Sequence, residues 1–229
     1  MKNVLHIATC RAQKIGEQHP SGFLDTSIVN DYHLFKTRMF TKNPDYIDII
    51  IEQIKAQQNK QFTKLFNPNN SWGFCKDQRA PAVVAEINNR VFDAYICEIS
   101  SMKYRDSENQ LLSYTFDEFV EKINELISLV GQKKIILIGT LNYKMANNII
   151  NQLGLDSSKI INNRLKSRVE IDRAIDMCAK YKIFPQKCLD AQSNVATMLQ
   201  DGISTHHYSR DGVIKTSEYI TQEVERLLI

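Results

Sequence analysis

Asn3-Val4-Leu5-His6-Ile7-Ala8-Thr9-Cys10-Arg11-Ala12-Gln13-Lys14-Ile15-Gly16 is the stretch on which the reading of this chain turns. Val4, Leu5, Ile7 and Ala8 form an apolar run of strand length, which stops at small and polar residues followed at once by helix formers. A short buried strand leading into a helix is the opening unit of an open α/β sheet. In such sheets ligands and nucleophiles gather at the carboxyl ends of the strands. Cys10 falls at that turn, where unpaired backbone N–H groups and the positive end of a helix favour a thiolate. Arg11 adds a positive charge beside it. The plainer reading is a packed thiol, since free cysteine is among the most buried residue types.

The same unit recurs downstream. Phe92-Asp93-Ala94-Tyr95-Ile96-Cys97-Glu98-Ile99 reads as a second buried strand ending at Ser100-Ser101, and Lys133-Lys134-Ile135-Ile136-Leu137-Ile138-Gly139 as a third. Lys187-Cys188-Leu189-Asp190 is a short strand candidate. Amphipathic helices alternate with these strands. Asn43-Pro44 supplies an N-cap and a first-turn proline ahead of the stripe Ile47, Ile50, Ile51 and Ile54. Thr115-Phe116-Asp117-Glu118 is a capping box before Phe119, Val120, Ile123, Leu126, Ile127 and Val130, closed by Gly131. Ser167-Arg168-Val169-Glu170 is a second capping box, opening a helix to about residue 180. Further helices are expected from Asn142 to Leu153, over 191–200, and at the carboxyl end, where Ile220, Val224, Leu227 and Leu228 share a face. His19 to Gly22, Phe66 to Gly73 (with Trp72) and Asp201 to Gly212 read as loops, while Asp31 to Lys36 shows no clear period. The alternation predicts a single doubly wound, flavodoxin-like α/β domain over 1–229, with a mostly parallel sheet flanked by helices.

Composition narrows the function classes. At 229 residues and 43% hydrophobic, the chain can bury a full core. Its 29 basic and 26 acidic residues are mixed along the sequence, and a net charge of +3 is too balanced for a nucleic-acid binder. The five cysteines (Cys10, Cys75, Cys97, Cys178, Cys188) are scattered without a C-x-x-C pair, so neither a zinc knuckle nor a disulfide framework is indicated. No apolar run approaches the roughly 18 residues of a membrane span. A soluble protein of the cytoplasm is the expectation. Nucleotide binding has no support, for the chain lacks G-x-G-x-x-G and P-loop patterns. A phosphatase loop of the C-x5-R type is excluded, because Gly16 stands where its arginine belongs. His206-His207 has no Asp, Glu or Cys spacing to complete a metal site, so no metal is expected. Lys103-Tyr104-Arg105 and Arg164-Leu165-Lys166-Ser167-Arg168 read as solvated basic faces.

Right-handed crossovers bring every strand's carboxyl end to one edge. Cys10, Ser100, Asn142 and the 201–212 loop would then meet there. A nucleophile after the first strand and a histidine loop before the last helix is an order similar to that of the SGNH/GDSL hydrolase superfamily. Ile7-Ala8-Thr9-Cys10 lies on that family's I-G-D-S block with Cys10 at the serine, and His207-Tyr208-Ser209-Arg210-Asp211-Gly212 resembles its H-[hydrophobic]-[S/N]-x-x-G segment. Within the superfamily, Ala8 to Gln13 most resembles two divergent branches, the GSCFA type and capsule-polysaccharide biosynthesis proteins with a G-N-C-Q motif. Cys10, Ala12 and Ile15-Gly16 fit the GSCFA pattern, and that alignment puts Thr9 at the serine instead.

The resemblance implies an esterase or O-acyltransferase acting on a carbohydrate or glycan through a Cys/His or Thr/His site. His207 is the better match for the base and His206 the second. Gly139-x-x-Asn142 is a loose counterpart of the G-x-N block whose asparagine helps hold an oxyanion; Ser100 is another oxyanion candidate, and Asn142 also suits an ordinary N-cap. Two departures stand out. The first glycine of the nucleophile block is Ala8, and Ser204 occupies the D-x-x-H aspartate position. Either Asp201 orients the histidine from a longer loop, or the site is a dyad. The resemblance implies no required cofactor, and an acyl donor such as acetyl-CoA is compatible with it, its phosphates then meeting Arg11; a solvated arginine is the plainer role. The reading from another class is a non-catalytic glycan- or partner-binding module that keeps the fold without the triad. The sequence sets no oligomeric state.

Overall fold

Four of the six residues of β1 (Lys2–Ile7) are buried, so the strand is covered on both faces, as a central strand of a parallel sheet must be. The computed structural model describes residues 1–7, 24–29, 31–37, 46–65, 80–139, 165–184 and 210–229. After β1 come β2 (Leu24–Val29), β3 (Tyr32–Thr37), α1 (Ile47–Gln58), a 3-10 turn (Phe62–Leu65), α2 (Ala80–Asn89) and β4 (Ala94–Glu98). A hairpin of β5 (Lys103–Arg105) and β6 (Leu111–Ser113) leads to α3 (Phe116–Val130) and β7 (Ile135–Ile138). α4 (Leu165–Cys178), β8 (Tyr181–Ile183) and α5 (Arg210–Leu228) follow.

The main sheet has the order β2-β3-β1-β4-β7-β8. β3, β1, β4, β7 and β8 are mutually parallel, and β2 is an antiparallel edge strand on β3. Helices lie on both faces, so the doubly wound α/β expectation holds. One face carries α1, α2, α3 and α4 over Leu5, Ile7, Phe35, Tyr95, Cys97, Ile135 and Leu137. The other carries α5, through Ile220 and Val224, over Val4, Leu34, Ile96, Ile136, Ile138 and Ile183.

Local chemistry accounts for several boundaries. Thr115 caps α3 by accepting from the Glu118 amide, and the Glu118 carboxylate takes the Thr115 N–H at 2.8 Å, a full capping box. Gly131 ends the helix at φ +90, where a side chain would strain the backbone, and donates to the Ile127 carbonyl at 2.7 Å. Phe119, Ile123, Leu126 and Ile127 are buried as their spacing requires.

Other boundaries depart from the sequence pattern. α1 begins at Ile47 with Tyr46 at the N-cap position, where its phenol is too long to cap and its backbone forms a parallel bridge to Ser101; Asn43-Pro44 lies outside the described residues. α4 begins at Leu165, so Ser167 is a helical residue rather than the cap. Arg168 is 1% exposed, not part of a solvated face. α5 already includes Arg210, Asp211 and Gly212, which the sequence had suggested were loop. The hairpin β2–β3 has no clear period in the sequence; Val29 pairs with Tyr32, and only Asn30-Asp31, residue types that tolerate tight turns, separate the strands.

Gly139 shows how tightly the β7 edge is built. A Cβ there would stand 2.4 Å from Asp172 Oδ1 and 3.0 Å from the Phe184 ring. Asp172 is buried on α4 and has little room to retreat. Gly139→Ala is therefore expected to lower the unfolding free energy by about 1–3 kcal/mol, read as a lower urea midpoint at unchanged slope. An unchanged midpoint would mean that the α4–β7 contact is looser than this.

Candidate functional site

The strand order fixes where a site can form. β1 is followed on one side by β3 and on the other by β4, so the order reverses between β1 and β4. Ligands in open α/β sheets occupy the crevice beyond the carboxyl ends of the two strands at that reversal. Here those ends carry His6 and Ile7 on β1, then Glu98 on β4 followed by Ile99, Ser100 and Ser101.

The same edge collects other chain ends. β2 starts there, since Leu24 pairs with Thr37, the last residue of β3. The end of β1 and the start of β2 thus stand at the same edge. Tyr46, at the start of α1, bridges to Ser101. On the other face, Thr221 and Glu225 of α5 stand near the Tyr32 hydroxyl at the start of β3.

Among the sequence-predicted site residues, Ser100 and Gly139 are described. Ser100 is buried at the lip of the crevice, between Ile99, whose amide donates to the Ile138 carbonyl at 2.9 Å, and Ser101, whose Oγ accepts from the Lys103 amide at 3.1 Å. The Gly139 amide donates to the Ile183 carbonyl at 2.9 Å and is occupied in extending the β7–β8 ladder. What the glycine supplies here is space for Asp172. Thr9, Cys10, Arg11, Asn142, Asp201, His206 and His207 lie outside the described residues, as does Trp72.

Three charged or polar side chains that the sequence reading passed over line the α5 face near this edge. His6, Lys36 and Glu98 are each 1% exposed. His6 and Lys36 are in register on β1 and β3, and His6 is level with Ile96, one pleat below Glu98 on β4. His6 and Glu98 therefore flank the reversal point on one face of the sheet. Burial, reinforced by the Lys36 ammonium, lowers the His6 imidazole to about 3, so the ring is neutral at ordinary pH. Among the described residues neither His6 ring nitrogen has a hydrogen-bond partner. The signal was present in the sequence as two polar residues inside otherwise apolar strands.

A surface groove of about 440 Å³ between α1, the 3-10 turn and α3 is a weaker candidate. Four of its charged side chains are engaged with one another: Lys55 and Lys122 reach Glu125 at 2.8 and 2.9 Å, and Lys122 reaches Asp48 at 3.4 Å, while the Tyr114 hydroxyl donates to Asp48 at 2.7 Å. Among the described residues no group of three His, Cys, Asp or Glu side chains is placed to hold a metal ion, and no helix is long and apolar enough to cross a membrane. Comparison with protein-family models, curated proteins and solved structures finds no match to this chain.

Proposed function

We propose that this protein is an acyl-transfer enzyme, an esterase or O-acyltransferase of SGNH-like type acting on a carbohydrate, with Cys10 as nucleophile and His207 as its base. The observation that carries the reading is the place of β1: it is the central strand beside the reversal of strand order and ends three residues before Cys10, while α5 begins three residues after His207. The resemblance of Thr9-Cys10-x-Ala12 and of His207 to Gly212 to SGNH segments supplies the chemistry.

In that chemistry His207 takes the Cys10 proton or holds it as part of a thiolate–imidazolium pair, and the sulfur attacks an ester or thioester carbonyl. Backbone N–H groups at the turn after β1 stabilise the tetrahedral oxyanion, a contribution of roughly 3–4 kcal/mol per donor. The tetrahedral intermediate then breaks its bond to the donor's alcohol or thiol, which leaves with the proton from His207; water or a sugar hydroxyl gives a proton to His207 as it attacks the acyl carbonyl, and the departing Cys10 sulfur takes that proton back.

The test is p-nitrophenyl acetate turnover by the intact protein and by Cys10→Ala, Thr9→Ala and His207→Ala. A large loss in the Cys10 and His207 variants with little change in Thr9→Ala is expected. Loss in Thr9→Ala alone would move the nucleophile to Thr9. Equal rates in all four would end the acyl-transfer reading and favour the binding module, to which Ser204 at the aspartate position also points.

A further inference from the structure

Six charged side chains line the groove between α1, the 3-10 turn and α3, and four of them satisfy one another: Lys55 and Lys122 on Glu125, and Lys122 on Asp48. The Glu52 carboxylate and the Lys64 ammonium do not. Both are exposed, and neither makes an ion pair or side-chain hydrogen bond among the described residues. The fold holds both in place. Glu52 sits in α1 between buried Ile51 and Gln53. Lys64 sits on the 3-10 turn, which fully buried Phe62 anchors in the core and the Gln61 amide ties to the end of α1, donating to the Ala56 carbonyl at 2.7 Å. One groove thus carries two unmatched charges of opposite sign on rigid supports.

We propose that this groove is the contact face of a twofold homodimer, in which Glu52 of each copy pairs with Lys64 of the other. Under a twofold axis every contact of one residue with another is repeated with the roles exchanged, so a surface holding one free charge of each sign complements itself twice. A lone charge of either sign would instead face its own image and repel. The groove as a whole suits the approach of two copies: its three lysines and three carboxylates leave no net charge, whereas the chain carries +3. Charged contacts of this kind fix partner and orientation more than strength, so the dimer is salt-sensitive. The contact needs no turnover and stands or falls apart from the acyl-transfer reading.

Sedimentation velocity of the full chain over a concentration series at low salt tests it. The wild-type protein should show a monomer–dimer equilibrium that sodium chloride shifts toward monomer. Glu52→Lys and Lys64→Glu should each weaken association by about ten- to a hundredfold, because each places like charges opposite one another twice. The double variant should regain the wild-type equilibrium. An equimolar mixture of the two single variants should also associate, since one copy then presents two positive charges and the other two negative. A wild-type protein monomeric at every concentration, a dimer indifferent to both single reversals, or a double variant as weak as the singles would each overturn the proposal.

Discussion

Replacing His207 by alanine is expected to slow p-nitrophenyl acetate turnover by about a hundred- to ten-thousandfold, the range by which a positioned general base accelerates proton transfer. Cys10→Ala should fall at least as far, because it removes the group that forms the covalent intermediate. The double variant should be no slower than the worse single one, since a nucleophile and its base act as one unit and their losses do not add. His206→Ala should lose less than His207→Ala, for only His207 begins the H-[hydrophobic]-[S/N]-x-x-G segment. Losses that multiply in the double variant would show that the two residues act separately, and the proposed pair would be wrong.

The second large effect is an acid sensitivity carried by one residue. His6 is lowered to about 3 in the folded chain, by burial first and by Lys36 second, against about 6.5 when unfolded. Between those values the unfolded chain binds the proton and the folded chain does not, so stability is full above about pH 6.5 and falls as the pH drops toward 3. His6 alone should remove about 3 kcal/mol between pH 7 and pH 4. Urea unfolding of wild type and His6→Leu at a series of pH values isolates this contribution, because the remaining groups titrate in both. The gap between the two proteins should widen steadily as the pH falls. A constant gap would mean that the His6 ring is solvated and protonates freely.

How much of this was legible in the sequence depended on how cleanly each segment obeyed one period. α3 carried a capping box, a helical stripe and a terminating glycine, three independent signals that agree, and its limits were readable to the residue. β7 is an unbroken run of four buried apolar residues and was equally plain. β3 was not, because His33 and Lys36 interrupt its apolar pattern; Lys36 is buried all the same, which periodicity cannot anticipate. β8 is only three residues long, too short for any period to register.

The candidate site divides along the same line. The edge on which it sits follows from alternating strands and helices, and so does the placement of Ser100 at the carboxyl end of β4. A histidine within an apolar run looks the same in sequence whether its ring is enclosed or solvated, so the burial of His6 is legible only in the structure. Arg168 was misread in the opposite direction. A basic residue amid Arg164, Lys166 and Ser167 looks solvated, yet the face of α4 that holds Ile171, Ala174 and Ile175 against the sheet also takes Arg168 into the interior.

The proposed pairing of Cys10 with His207 is tested most directly by the pH dependence of cysteine alkylation. Iodoacetamide labelling, followed residue by residue by peptide mass spectrometry, reports the thiolate fraction at each site. Cys97 and Cys178 serve as slow internal references, since burial raises both thiols. Cys10 should still react rapidly near pH 6 in the wild-type protein, and in His207→Ala its profile should move up to that of a free thiol, about 8.5. Superimposable Cys10 profiles in the two proteins would show that no imidazole stands beside that sulfur.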